Sequence, residues 1–327
     1  MQKLKVIKPI LIICGEPNSI FSEIIFKAFN KYKNKNPIVL IGSYDLITKQ
    51  FEILKSSIRL NLVSFKENIF TNIKKNEINI LDISYNFDKP FENISSKSNY
   101  YITKCFEKAF EIIKKNNIKG LINGPISKKF FLGNKYYGVT EYLSKKFRVN
   151  DKYSMLIYNK SLSVSPITTH LPIYKVSTQL KKEMIISKVL IINDFYKTKL
   201  LKKPKIAITG LNPHCENFFK LSEEKKLIEP AIKILKKKKI DIRGPFPADT
   251  IFLKQNMKNF DVIIGMYHDQ VLAPLKTVYG FNAINITLGL PIIRVSPDHG
   301  PNFKMIGKNK SDPQSLIESL KFLDKIK

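Results

Sequence analysis

An α/β fold built on a mainly parallel sheet is the class this sequence predicts, and three observations predict it. Short β-rich runs alternate with amphipathic helical stretches along the chain, as they do where strands take turns with crossover helices. Several apolar runs end in small clusters of Gly, Pro, Asn or His, the way buried strands end in loops. The 327 residues are 43% hydrophobic, enough to build a core in one large unit or two domains.

The elements follow in order. Val6 to Cys14 reads as the first strand, closed by the turn Gly15-Glu16-Pro17-Asn18-Ser19 and followed by a helix from about Ser22 to Lys33. Ile38 to Gly42 is the next strand. Residues 44 to 98 are polar and less regular, with strands expected near Asn61 to Phe65 and Ile78 to Ile83. A helix from about Ser98 to Asn116 sets Cys105, Ala109 and Ile112 on one face, and Gly120 to Asn123 is a buried strand. Met155 to Tyr158 and Leu162 to Ile167 form a hairpin across Asn159-Lys160. A helix from about Thr178 to Tyr196, the strand Ile206 to Thr209 and a helix from Ser222 to about Lys238 come next. That last helix has acids in its first turn and lysines in its last, as the helix dipole prefers. Val262 to Gly265, Ala283 to Thr287 and Ile292 to Val295 are further strands, and Asp312-Pro313 opens a final helix.

Composition excludes several function classes. The basic start Met1-Gln2-Lys3-Leu4-Lys5 leads into an apolar run of strand length ending in Cys14-Gly15-Glu16-Pro17, which is no cleavage site. No run reaches the roughly 20 apolar residues that span a bilayer. A cytoplasmic location and no membrane partner are expected. Three cysteines, Cys14, Cys105 and Cys215, with no Cys-x-x-Cys, point to reduced thiols rather than a disulfide framework or a thiolate zinc site. The net charge of +29 is nearly all lysine, spread along the chain, with only four arginines. Nucleic-acid readers lean on arginine, so no nucleic-acid partner is expected. The charge instead favours encounter with an anionic substrate.

The chain has only four histidines, each in a short motif at a strand end. His170 lies in Thr168-Thr169-His170-Leu171-Pro172, His214 in Gly210-Leu211-Asn212-Pro213-His214, His268 in Tyr267-His268-Asp269-Gln270, and His299 in Asp298-His299-Gly300. Imidazole is the commonest metal ligand, and ligands of open α/β sheets bind beyond the carboxyl ends of the strands. His170, His214 and His268 together would hold a metal with open positions for substrate. His299 sits among turn formers and reads as part of a turn. Asp269 is suited to fix a ligand's tautomer or take a proton. Arg294, after the apolar run Pro291-Ile292-Ile293, suits a carboxylate or phosphate. Thr140 reads either as a helix cap or as a phosphate contact, and Lys276 alone reads as solvated surface. No Gly-x-Gly-x-x-Gly follows the first strand and no P-loop occurs.

Together with Gly244-Pro245-Phe246-Pro247-Ala248-Asp249-Thr250 and Asn285-Ile286-Thr287-Leu288-Gly289-Leu290-Pro291, these motifs resemble, in order and over nearly the whole length, the 4-hydroxythreonine-4-phosphate dehydrogenase family of vitamin B6 biosynthesis. The resemblance implies two α/β/α lobes with a cleft between them, similar to isocitrate and isopropylmalate dehydrogenases. It places residues 1–125 plus 290–327 in the first lobe and 126–289 in the second. It implies a homodimer with the active site at the interface, NAD or NADP as cofactor, and one divalent metal (Zn, Mg or Co) on His170, His214 and His268. One of these ligands comes from the partner chain. Thr140, Lys276, Asn285 and Arg294 are implied to hold a small phosphorylated hydroxy acid, and Asp269 or Asp249 to handle protons.

The implied reaction oxidises the C3 alcohol of 4-phosphooxy-L-threonine by hydride transfer to NAD⁺. The resulting β-keto acid loses CO₂ to give 3-amino-2-oxopropyl phosphate. The chain departs from the family pattern in three places. Val139 stands where family members carry a substrate-touching histidine, Cys215 and its followers replace a glycine-bearing stretch, and Asn18-Ser19-Ile20-Phe21-Ser22 replaces Ala-Gly-Ile-Gly-Pro. Val139 keeps open a sister substrate, threonate or erythronate 4-phosphate. A metal-binding non-catalytic paralogue and a three-histidine hydrolase are the readings from other classes.

Overall fold

The computed structural model describes residues 8–66, 69–115, 118–133, 135–149, 152–215, 222–280, 282–297 and 300–326. In chain order they form β1 (Ile10–Ile13), α1 (Phe21–Lys31), β2 (Ile38–Gly42), α2 (Tyr44–Ile53), β3 (Leu60–Lys66), β4 (Ile69–Thr71), β5 (Ile78–Asp82), α3 (Asn99–Lys115) and β6 (Gly120–Asn123). Then come α4 (Val139–Lys146), β7 (Ser154–Tyr158), β8 (Ser163–Pro166), α5 (Val176–Gln179), α6 (Lys182–Lys199), β9 (Ile206–Thr209), α7 (Glu229–Lys237) and β10 (Ile242–Phe246). The chain closes with α8 (Ala248–Ile251), α9 (Lys254–Met257), β11 (Val262–Gly265), α10 (His268–Tyr279), β12 (Ile284–Leu288), β13 (Arg294–Ser296) and α11 (Gln314–Lys325).

Two compact units result, one of residues 1–139 and 292–325, the other of 140–291 with 326–327. In the first, the strands run in the order β13-β6-β1-β2-β5-β3-β4. All neighbours are parallel except the β3–β4 hairpin. Strands β1, β2 and β6 read Ile-Leu-Ile-Ile, Ile-Val-Leu-Ile-Gly and Gly-Leu-Ile-Asn and are buried throughout. Such continuous apolar runs are what a sheet covered on both faces requires. In the second unit the order is β10-β9-β11-β8-β7-β12. Strands β10, β9, β11 and β8 are parallel, while β7 is antiparallel to both β8 and β12. Val164, Ala207, Ile263, Val271 and Leu275 form part of a core beneath these strands.

The α/β class and its parallel sheets are as the alternating pattern predicts. Four local expectations need correction. Residues 44–53, taken as irregular, are helix α2: Ser43 caps it by accepting the Leu46 N–H at 3.3 Å, and Leu46, Ile47, Gln50 and Phe51 form its buried face. The expected helix from Thr178 to Tyr196 is two, because Leu180 is extended (φ −65°, ψ 128°) and separates α5 from α6. The helix expected from Ser222 begins as a π turn over Glu224–Ile228 before α7 continues it. Arg294 does not end an apolar strand but begins β13, and is 2% exposed. Val6, at the start of the expected first strand, lies outside the described residues, as do Asp298 and His299.

Candidate active site in the second unit

Parallel registry gathers the histidine motifs. In β11, Val262, Ile263 and Ile264 lie level with Ile206, Ala207 and Ile208 of β9 on one side and Ser163, Val164 and Ser165 of β8 on the other. All three strands therefore point their carboxyl ends the same way. His170, His214 and His268 follow those ends by a few residues. Beyond β8 the chain stays pinned to β11: the Ile167 N–H donates to Gly265 O at 2.7 Å, and the Thr168 hydroxyl and N–H both donate to Met266 O. That pinning carries His170 beside His268, their ring centroids 5.9 Å apart and their planes inclined by 35°.

Each ring meets a carboxylate through Nδ1. His170 Nδ1 lies 3.3 Å from Glu141 Oε1 and His268 Nδ1 lies 2.6 Å from Asp269 Oδ1. A carboxylate on Nδ1 leaves Nε2 as the lone-pair nitrogen, the arrangement of metal-ligating histidines. The Thr169 hydroxyl also donates to Glu141 Oε1, at 3.2 Å. Burial pushes the Glu141 carboxyl up, but the hydrogen bonds from His170, its own backbone and Thr169, with the charge of His170, outweigh it and hold the group below its ordinary value. Among the described residues, Glu141 Oε2 is buried with no hydrogen-bond partner, and so is Asn285 Oδ1. Buried acceptors of this kind are ordinarily met by a donor, a water or a ligand.

His214 is held differently. It sits in a turn with φ 57°, followed by Cys215 with φ 56°, both left-handed without being glycine. Glu224 organises this turn. Its Oε1 accepts the Leu211 and Asn212 N–H groups, each at 2.8 Å, and its Oε2 accepts the Asn212 side-chain amide at 2.9 Å. The Cys215 thiol is raised by burial and by the charges of Glu224 and Asp249, partly offset by a hydrogen bond from the Gly210 backbone. Asp249 is exposed in the first turn of α8. Among the described residues, no group of three or more His, Cys, Asp or Glu side chains could hold a metal ion. The structure therefore joins His170 and His268, with Glu141 and Asp269, and sets His214 on its own anchored turn.

The remaining predicted contacts lie as follows. Thr140 is inside the first turn of α4 rather than capping it, and its hydroxyl is 3.3 Å from that of Thr287 on β12. Asn285 lies two residues before Thr287, so both point to the same face of β12. Lys276 is exposed on α10, two turns beyond His268. Arg294 belongs to the first unit, where its Nε donates to Asn123 Oδ1 at 2.7 Å. Glu141, Glu224 and Gln270 are the site residues that sequence reasoning passed over. Their one signal is adjacency: Glu141 follows Thr140, and Gln270 closes Tyr267-His268-Asp269-Gln270.

Fold and strand-end histidines together define an α/β enzyme. A profile of the pyridoxal phosphate biosynthetic protein PdxA family matches residues 33–323. A 4-hydroxythreonine-4-phosphate dehydrogenase of Sulfurihydrogenibium sp. (strain YO3AOP1) is 38% identical over 94% of this chain and 95% of its own length. A D-threonate 4-phosphate dehydrogenase of Salmonella typhimurium (strain LT2) is 29% identical, covering 96% and 97% of the two chains. The crystal structure of 4-hydroxythreonine-4-phosphate dehydrogenase from Klebsiella pneumoniae superposes with a TM-score of 0.81 at 25% identity, covering 97% and 98%. Isocitrate dehydrogenase from Methylococcus capsulatus shares the fold alone, at a TM-score of 0.50 and 11% identity over 97% of this chain and 85% of its own. The chain belongs to the PdxA family, and is with its relatives an oxidoreductase acting on a CH–OH group. No helix among the described residues is long and apolar enough to cross a membrane.

Proposed function

We propose that the chain oxidises and decarboxylates 4-phosphooxy-L-threonine to 3-amino-2-oxopropyl phosphate. NAD or NADP accepts the hydride, and one divalent metal (Zn, Mg or Co) is bound by His170, His268 and His214, one of the three ligands coming from the second chain of a homodimer. The observation that carries this reading is the His170–His268 pair, each ring held at Nδ1 by its own carboxylate. A divalent metal held there would lower the pKa of a substrate alcohol. Glu141 and Asp269 fix the two rings so that Nε2 faces outward. Asp269, exposed beside His268, is also placed to take up a proton, and Asp249 remains a second candidate. Asn285 Oδ1 and Glu141 Oε2 accept from substrate hydroxyl or ammonium groups, while Thr140, Lys276 and Arg294 supply hydroxyl and cationic contacts to phosphate and carboxylate.

A second reading keeps the chemistry and changes the substrate to threonate or erythronate 4-phosphate. Val139, the first residue of α4, has no side-chain hydrogen-bonding group for an amino substituent, and a relative named D-threonate 4-phosphate dehydrogenase aligns over 96% of the chain. Incubation of the purified protein with each phosphate ester, NAD⁺ or NADP⁺ and Zn²⁺, Mg²⁺ or Co²⁺, followed by the absorbance of the reduced cofactor, separates the two. Absence of NAD(P)H from every ester would sink both readings, and phosphate release without cofactor would indicate a hydrolase. His170→Ala and His268→Ala are expected to abolish turnover together with bound metal. Val139→His should raise turnover of 4-phosphooxythreonine by about tenfold, the worth of one hydrogen bond, if that is the substrate.

A further inference from the structure

In the first unit, residues 83–95 run without helix or strand from the end of β5 to the short 3₁₀ turn Ser96–Ser98 that leads into α3. Side chains tie this strap to the loop after β1. Gln50 Nε2 on α2 donates to Pro17 O at 3.0 Å and to Pro90 O at 2.7 Å, and the Glu92 N–H donates to Asn18 Oδ1 at 2.9 Å. A hollow of about 370 Å³ lies between Asp45, Thr48 and Lys49 of α2 and Phe87, Asp88 and Pro90 of the strap. The strap is therefore held here by a few bonds more than by packing. At its far end the Ser98 hydroxyl lies 2.9 Å from Glu16 Oε2 and 3.1 Å from Ser95 O. A hydroxyl has one hydrogen. With Glu16 ionised, one of those two acceptors goes unserved. With Glu16 protonated, its O–H donates to Ser98 Oγ and the Ser98 hydrogen goes to Ser95 O, so all three groups are satisfied. Glu16 and Ser98 are each 1% exposed, which leaves little water to stand in for a lost partner. Burial accordingly raises the Glu16 carboxyl above its ordinary value, against the hydrogen bonds from Ser98 and Asn18.

We propose that Glu16 is a proton-operated latch: protonated, it holds the strap closed through Ser98 and Ser95, and loss of that proton to solvent lets the strap open. The other titratable groups around it are accounted for. Asp88 and Glu92 of the strap lie 3.2 and 3.8 Å from Lys97 Nζ, and the N–H groups of Lys89 and Asp88 hold Glu92 below its ordinary value. The Tyr85 phenol is pushed up to about 12, by burial and by the charges of Glu92, Glu16 and Asp88 against a hydrogen bond with Asn18. Burial holds the Cys14 thiol beyond β1 and the Tyr101 phenol of α3 well above their ordinary values. On α1, Glu23 is bonded to Lys27 at 2.7 Å, and α2 presents the uncharged Gln50. The sign follows from Glu16: the closed strap is stabilised at low pH and loses that stabilisation as the pH rises through the folded pKa. Sheets of this class take ligands at the carboxyl ends of their strands, so the latch couples proton concentration to the shape of that end of the first unit.

Hydrogen exchange of the full-length protein, read by mass spectrometry and corrected for the intrinsic pH dependence of exchange, tests the latch. Peptides covering residues 83–98 should lose protection about tenfold between about pH 5 and about pH 8, while peptides of α6 in the second unit keep theirs. Glu16→Gln should stay protected at both values, because its amide donates to Ser98 Oγ as the neutral carboxyl does. Ser98→Ala removes the relay and should leave the strap open at both. Wild-type strap protection that is equal at the two pH values would overturn the proposal. So would a Glu16→Gln strap that opens as the wild type does, or a loss in α6 equal to that in the strap, which would mean general destabilisation. Should Glu16→Gln fail to fold, Ser98→Ala decides: a strap that still opens with rising pH as in the wild type overturns the latch, and one open at both values supports it.

Discussion

Glu16 in the first unit and Glu224 in the second both keep almost no exposed surface, 1% and 0%, yet their carboxyls shift in opposite directions. Burial raises both. At Glu16 it prevails: among the described residues its donors are the Ser98 hydroxyl at 2.9 Å and a long contact from the Asn18 N–H at 3.3 Å. At Glu224 the backbone and side-chain N–H groups of Asn212, its own backbone and the Leu211 N–H outweigh burial. Loss of exposed surface alone does not decide whether a carboxylate stays charged; how deep it is set and the number and aim of its donors decide together. Glu16 joins the first loop to the start of α3, whereas Glu224 is a charge around which the His214 turn is wound.

That contrast can be broken, beginning with the largest expected effect. Glu224→Gln should lower stability by about 2 kcal/mol, since its oxygen can keep the Leu211 and Asn212 N–H groups but its amide then turns a donor towards the Asn212 side-chain amide; urea denaturation at neutral pH measures it. A loss below about 1 kcal/mol would mean the turn has another anchor. Next comes pH. Glu224 titrates in the folded chain below its ordinary value of 4.5, so its stabilisation is present above that value and is lost as the pH falls through the folded pKa. Glu16 titrates above 4.5, so the folded state holds the extra proton and stability falls as the pH rises from the ordinary to the folded value. Glu224→Gln should flatten the acid limb of a stability–pH curve, and Glu16→Gln the opposing slope above it. Ser98→Ala, which removes the Glu16 donor, should cost about 1 kcal/mol. Smallest is Glu16→Gln at neutral pH, which puts a neutral amide in place of a carboxyl whose charged form burial disfavours and should change stability by less than about 1 kcal/mol. A larger loss would show that Glu16 works as an anion after all.

The same contrast explains what could be read from the sequence. Fully buried parallel strands such as β1, β9 and β11 announce themselves as continuous apolar runs, and three histidines at strand ends could be picked out because the chain has so few. The partners of those histidines could not. Glu224 reads locally as an acid in the first turn of a helix, yet it reaches back 12 and 13 residues to Asn212 and Leu211. Gln270 bonds to residues 60 and 61 positions away, and Glu141 meets His170 at a separation of 29. Helix α10 was hidden for a related reason: its opening Tyr-His-Asp-Gln carries polar groups spent on the neighbouring strand ends and the His170–His268 pair, which makes it resemble a turn. Helix α2 was obscured by the polar residues between its four buried positions.

The turn at His214 and Cys215 has one more consequence. An ordinary side chain held at positive φ lies about 1–2 kcal/mol above the right-handed basin, and here two such residues are adjacent. The left-handed basin is small, and sterically forbidden φ values separate it from the right-handed one. Loosening the turn would not let the imidazole drift by tenths of an ångström; it would snap the ring to a different direction altogether. Partial damage should then appear as a mixture of competent and incompetent molecules, visible in nuclear magnetic resonance as two sets of His214 signals, and not as a uniformly weakened population.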